Sequence, residues 1–137
     1  MHYWLMKSEP HKYSWNQFLK DGRTCWDGVR NYQARNNLQA MKTGDAVLFY
    51  HSNEGLAVVG VAQVVKEAYP DPTTDDPRWV AVDIEPVEPL TLPVSLSDIK
   101  KDRRLQHIAL VKQGRLSVMP LTKQEFDVIV AKGREFK

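Results

Sequence analysis

The segment Asp45–Val65, DAVLFYHSNEGLAVVGVAQVV, constrains the fold of this chain more than any other stretch. A strand-like apolar run, Asp45–His51, and a long Val-rich one, Leu56–Val65, flank the polar cluster Ser52-Asn53-Glu54-Gly55. β-Branched and aromatic residues pack well on a pleated surface, and a short polar insert ending in glycine is turn chemistry. The segment therefore predicts a β-hairpin, long enough to form the centre of a sheet. Everything else in the chain has to cover or extend that hairpin.

The flanking segments supply short elements of both kinds. His2–Lys7 is strand-like and is bounded by Ser8-Glu9-Pro10. Ser14 and Gln17 have capping-box spacing, which predicts a helix to Asp21 that stops at Gly22. Tyr32, Ala34, Leu38 and Met41 share one helical face over residues 31–42. Tyr69–Pro77 has three prolines and reads as a loop. Trp79–Pro86 alternates as a half-buried strand, and Pro86, Pro89 and Pro93 then suggest an extended connection. Helices are expected at Ser97–Lys101 and Arg103–Lys112, with a brief extended piece over Arg115–Val118. A capping box at Thr122 and Glu125 opens a last helix that ends near Gly133. Strands and helices without βαβ alternation make the fold class α+β, with a curved mixed β-sheet closing toward a barrel and short flanking helices.

At 137 residues and 42% hydrophobic content, one domain with one core is expected over residues 1–137. No apolar run approaches the roughly 18 residues of a membrane span, and no secretory signal is visible. Cys25 stands alone, which precludes an internal disulfide and suits a reducing compartment. The expectation is a cytoplasmic protein with no membrane contact. The net charge of +2 is unevenly spread: residues 1–60 carry +2, residues 61–99 carry −6 and residues 100–137 carry +6. Two basic segments around an acidic middle would suit either one phosphate-attracting face or an ordinary mixed surface. The densest basic run, Lys100-Lys101 and Arg103-Arg104, reads first as an exposed helix junction.

Known catalytic signatures are mostly absent. There is no His-Glu-x-x-His, no Gly-x-Ser-x-Gly, no phosphate-binding lysine loop and no dinucleotide glycine triplet. The four histidines are scattered, so no metal site and no cofactor is expected. His51 and Ser52 adjoin at a strand end, but consecutive strand residues face opposite sides, which argues against a direct relay.

Attention falls instead on Trp26–Asn37, where Trp26 and Tyr32 stand among Asp27, Arg30, Asn31, Gln33, Arg35, Asn36 and Asn37. Planar rings beside forked and amide side chains suit a flat, polar ligand with an anionic backbone, such as a nucleotide. Each residue has a plainer reading beside this one. Trp26 can be core, Asn31 can cap the following helix, and Arg30 can pair with a carboxylate. Glu9 can be merely solvated, and Cys25 can be a small core or wall residue. Trp4 and Trp15 read as core, while Trp79 and Tyr69 fit either role.

The blocks YWLMKSEP (3–10), WDGVRNYQARNNL (26–38), GDAVLFYHS (44–52), VVGVAQVVKEAYPDP (58–72) and RLSV (115–118) together resemble the EVE-domain family. That family belongs to the PUA-like superfamily, alongside YTH and ASCH domains. The resemblance implies a PUA-like pseudo-barrel and a non-catalytic reader of a modified or flipped base in DNA or RNA. By that resemblance, Lys7, Ser8 and Glu9 would form the pocket rim, Trp26 would stack on the base, and Asp27 would lie at its edge. Arg30, Asn31 and Tyr32 would line the wall, with His51, Ser52, Arg115 and Ser117 completing it. Tyr69 or Trp79 would be a second aromatic wall. A separate effector protein is a further partner the resemblance allows. An enzyme acting on a modified nucleobase, with His51 or Glu9 as base, and a small-molecule sensor are the alternatives.

Overall fold

The Asp45–Val65 segment folds as its pattern requires. In the computed structural model, which describes residues 1–134, β3 (Ala46–His51) pairs antiparallel with β4 (Ala57–Pro70). β1 (Tyr3–Ser8) lies parallel on the outer side of β3, and β6 (Val118–Leu121) closes that side antiparallel to β1. On the other side β4 pairs antiparallel with β5 (Val80–Ser95), and β5 with the short β2 (Thr24–Trp26). The result is one mixed six-stranded sheet in the order β2-β5-β4-β3-β1-β6, with the hairpin at its middle.

Five helices flank it: α1 (Trp15–Asp21), α2 (Tyr32–Ala40), α3 (Leu96–Lys101), α4 (Ala109–Lys112) and α5 (Lys123–Gly133). Ser14 caps α1, Ser95 caps α3, and Thr122 with Glu125 forms a full capping box on α5. The class is α+β as expected. The helix expected over Arg103–Lys112 is instead a 3₁₀ turn, Arg103–Leu105, followed by the single turn of α4.

Two strands run longer than their sequence suggests. β4 continues past Val65 to Pro70, and β5 passes through Pro86, Pro89 and Pro93, where only an extended connection was expected. Proline removes a ladder donor, so it survives in a strand only at irregular or one-sided positions. β5 supplies both. Its pairing with β4 shifts register repeatedly, and β2 covers it only from Val82 to Ile84, leaving the later residues without a partner strand on that side.

The sheet is strongly curved but not closed, since β2 and β6 are its two free edges. In the strand order β2 stands three places from β3, roughly 14 Å away were the sheet flat. Yet the Trp26 ring of β2 touches the Phe49 ring of β3. Only a sheet bent around a concave face permits that contact. Trp15 fills the floor of this face, lying over Gly60 of β4 and edge-on to both Phe18 and Phe49. Trp4, also buried, donates from its indole nitrogen to Asp45 at 3.0 Å and ties β1 to the start of the hairpin. Both tryptophans are core, as the sequence suggests.

Candidate functional site

Parallel pairing delivers the C-terminal ends of β1 and β3 to the same edge of the sheet. Ser8 stands opposite His51, and the Ser52 amide donates to the Ser8 carbonyl at 2.9 Å. A cleft of about 720 Å³ opens there, between these strand ends, the end of β2 and the loop before β6. Of the residues singled out in the sequence, Lys7, Ser8, Glu9, Trp26, Asp27, Arg30, Ser52, Arg115 and Ser117 line it. Lys12, Tyr13, Thr24, Cys25, Gly28, Val29, Asn53 and Gly114 line it as well.

Trp26 is half-buried, and its ring meets Phe49 at 89°. The indole is thus anchored on the concave floor while part of it borders the cleft. Thr24 and Cys25 accompany it as neighbours on β2. The Cys25 thiol is pushed up by burial above its ordinary pKa, so it is a wall residue with little thiolate character.

The loop after Trp26 is held by a residue the sequence reading passed over. Asp71 is buried, and its Oδ2 accepts from the Gly28 amide at 2.8 Å and from Arg30 Nη1 at 2.9 Å. Its Oδ1 accepts from the Thr73 amide and hydroxyl at 2.7 and 2.6 Å. Burial alone would raise this carboxyl's pKa. The donors from Thr73, Arg30 and Gly28 outweigh burial and hold it well below the usual carboxylate range. Gly28, at φ 77°, takes the left-handed turn that brings its amide to Asp71. The signal for Asp71 was its place in the proline-rich loop 69–77, where Asp-Pro-Thr-Thr is turn chemistry.

On the opposite wall, Lys7 donates to the Gly114 carbonyl at 2.7 Å, and its amide donates to the Ser117 carbonyl at 2.9 Å. These bonds bring Arg115 and Ser117 to the cleft. Burial lowers the Lys7 pKa from its ordinary value. Glu9 pairs with Lys12 at 2.8 Å and accepts from Asn53. The Ser8 hydroxyl donates to the Tyr13 carbonyl. Tyr13 also lines the cleft and is its second aromatic beside Trp26. Burial first, then its bond to Asp21, pushes its phenol up to about 12.

Four expected wall residues lie outside this lining. Asn31 caps α2, accepting from the Ala34 amide at 2.9 Å, because an orphan helix amide competes for its side chain. Tyr32, exposed at the start of α2, is layered on Trp79 outside the lining. His51 Nε2 accepts from the Trp15 amide at 3.0 Å, so the first turn of α1 occupies it. Tyr69 turns its hydroxyl to Asp83 behind Cys25. Neither Tyr69 nor Trp79 is in the lining: Tyr69 bonds to Asp83, and Trp79, in the loop before β5, packs on Tyr32.

The rim is mixed in sign. Lys7, Lys12, Arg30 and Arg115 gather from the two basic segments, and Glu9 and Asp27 face them. Carboxylates of the acidic middle are drawn into pairs: Asp71 with Arg30, Asp83 with Arg23 and Asp76 with Arg78. The Lys100–Arg104 run lies away from the cleft, with Arg104 tied to Asp102. Among the described residues, Arg115 and Asp27 have no hydrogen bond or ion pair, which leaves a free cation and a free acceptor at the opening. The two groups considered as general bases are otherwise engaged, His51 by a backbone amide and Glu9 by Lys12 and Asn53. Such a cleft can stack a flat heterocycle, read its polar edge and hold an adjacent anion.

A family model described as the EVE domain matches residues 2–132. Thymocyte nuclear protein 1 of Mus musculus is 39% identical over 163 aligned positions, covering 94% of this chain and 72% of that protein. The human THYN1 protein, solved in complex with 5-methylcytosine containing DNA, superposes with a TM-score of 0.92 at 35% identity, covering 100% of both chains. The YTH domain of Zygosaccharomyces rouxii MRB1 protein superposes with a TM-score of 0.61 at 14% identity, covering 99% of this chain and 86% of that one. At that identity the YTH likeness concerns the fold alone. The cytoplasmic location expected from the sequence is corrected by the mouse and human relatives, both named thymocyte nuclear protein 1. A lone cysteine points only to a reducing compartment, and the nucleus is one as much as the cytosol. No helix among the described residues is long and apolar enough to cross a membrane.

Proposed function

The chain belongs to the EVE-domain family, and from that membership we propose that it is a non-catalytic reader of a modified base in nucleic acid. One base, unpaired or turned out of a duplex, enters the cleft and lies on Trp26. The observation that carries this reading is the half-buried indole bordering a polar cleft of about 720 Å³. Base–aromatic stacking contributes about 1–3 kcal/mol and tolerates any base, so selectivity falls to the polar edge. Asp27 accepts from an exocyclic amine or ring N–H, and Tyr13 offers a second aromatic surface. Arg115 and Lys7 hold the flanking phosphate. Arg30, committed to Asp71, positions the loop more than it binds.

The related human protein, crystallised with 5-methylcytosine containing DNA, supports methylated cytosine as the first ligand to try. The test is a binding survey with DNA and RNA strands carrying 5-methylcytosine, 5-hydroxymethylcytosine, N6-methyladenine or no modification. A modified strand bound at least severalfold more tightly than its unmodified counterpart, with affinity falling as salt rises, is the expected result. Equal affinity for all strands overturns the reader assignment.

A further inference from the structure

Beside the cleft, the loop before β5 and the start of α2 carry a second cluster of flat groups. The Tyr32 and Trp79 rings are layered, with centroids 5.1 Å apart and planes inclined by 32°. Three guanidinium groups lie over them: Arg35 is 5.2 Å from the Tyr32 ring, and Arg30 and Arg78 are 5.6 and 5.9 Å from the Trp79 ring. Arg30 belongs to both places, because it also lines the cleft. The layered surface is therefore continuous with the base site.

Holding the loop on α2 does not require Tyr32 to be open. Tyr32 is 51% exposed as a residue, with its hydroxyl accepting from Arg78 Nη1 at 2.9 Å, so something can still lie against it. The charges narrow what that something is. Asp76 grips Arg78 through Nε and Nη2, and Asp71 holds Arg30. Among the described residues, Arg35 bonds only to neutral oxygens, Asn36 Oδ1 and the Arg78 carbonyl. One guanidinium with unspent charge, beside an exposed ring on an arginine-rich platform, matches one phosphate and one base.

We propose that Tyr32, Trp79 and Arg35 form a second subsite that takes an unpaired nucleotide adjacent to the base held at Trp26. Its base packs against the layer that Tyr32 and the overlying Arg35 guanidinium form, and the charge of that guanidinium meets its phosphate. This inference rests on the cleft being the base site, and it adds that the ligand is a strand with an unstacked neighbour rather than an isolated base.

The experiment compares the parent protein with Tyr32→Ala and Arg35→Gln on three probes. These are 5-methyl-2′-deoxycytidine monophosphate, a short single strand with a central 5-methylcytosine, and the same strand with abasic sites flanking that base. The parent binds the intact strand more tightly than the abasic one. Tyr32→Ala loses about tenfold on the intact strand, as loss of one stacked base does, and nothing on the monophosphate or the abasic strand. Arg35→Gln lowers the slope of log affinity against log salt by about 0.7, one phosphate's share on a single strand. If both variants bind the intact strand with the parent's affinity and salt slope, the second subsite is overturned while the cleft stands. If the parent binds none of the three probes, the cleft reading falls and takes the subsite with it.

Discussion

Trp26 and Phe49 meet edge-on, with ring centroids 5.7 Å apart, although two whole strands lie between theirs in the sheet. This contact joins the curvature of the sheet to the candidate site. Phe49 fixes the indole from below, stacked in turn on Phe18 at 5.3 Å. A base arriving in the cleft therefore finds a ring already held in place.

Replacing that ring gives the first prediction. Trp26→Ala should weaken binding of a 5-methylcytosine strand by about 1–3 kcal/mol, measured by calorimetric titration. Losing the edge-on contact should cost about 1 kcal/mol beyond the lost burial of the half-buried ring, so thermal melting should shift down yet stay cooperative. A variant that melts normally and binds as the parent does would remove Trp26 from the site.

Asp71 gives a prediction about acid. Its folded pKa lies below the unfolded one, so the stabilisation is complete above about pH 3.9 and is lost as pH falls through the folded value. Asp71→Asn should flatten the acid limb of a urea stability profile. At neutral pH it should destabilise by about 1.5–3 kcal/mol, since charge-assisted hydrogen bonds are lost. An unchanged acid limb would show that Asp71 is not the group holding the Trp26–Arg30 loop.

His51 behaves in the same sense over a higher range. Burial lowers its pKa from the ordinary value, and its Nε2 must stay unprotonated to accept from the Trp15 amide. Its contribution is whole above about pH 6.5 and declines as pH drops toward the folded value. His51→Gln keeps an acceptor but cannot titrate, so stability between about pH 7 and 5 should vary less in the variant. Persistence of the parent's full slope in the variant would assign it to another histidine.

Gly60 predicts a packing effect. A methyl group added there would sit 2.4 Å from the Trp15 ring. Gly60→Ala should cost about 1–3 kcal/mol, as overpacking does, whereas Gly114→Ala has open space and should be near neutral. Chemical denaturation of the two variants decides it; equal stability would mean that Trp15 yields without cost.

The sequence by itself determined the local elements and much of the cleft's chemistry. Hydrophobic runs, the Ser52–Gly55 turn and the capping boxes act over a few residues, so the central hairpin, α1, α2 and α5 were legible in order. Trp4 and Trp15 read correctly as core, and Trp26, with the Lys7, Ser8 and Glu9 that the family resemblance pointed to, lines the cleft. What only the tertiary structure decided was which way the remaining side chains turn. Asn31 and His51 were each claimed by a helix amide, and Tyr32 and Tyr69 by partners far along the chain. Asp71 reaches the Trp26–Arg30 loop across more than forty positions of sequence, |i−j| being 43 to Gly28. Tyr13 likewise entered the cleft unannounced. Local patterns record the preferences of neighbours. A contact between β2 and β3 exists only after the sheet has bent, and no short-range preference encodes that bend.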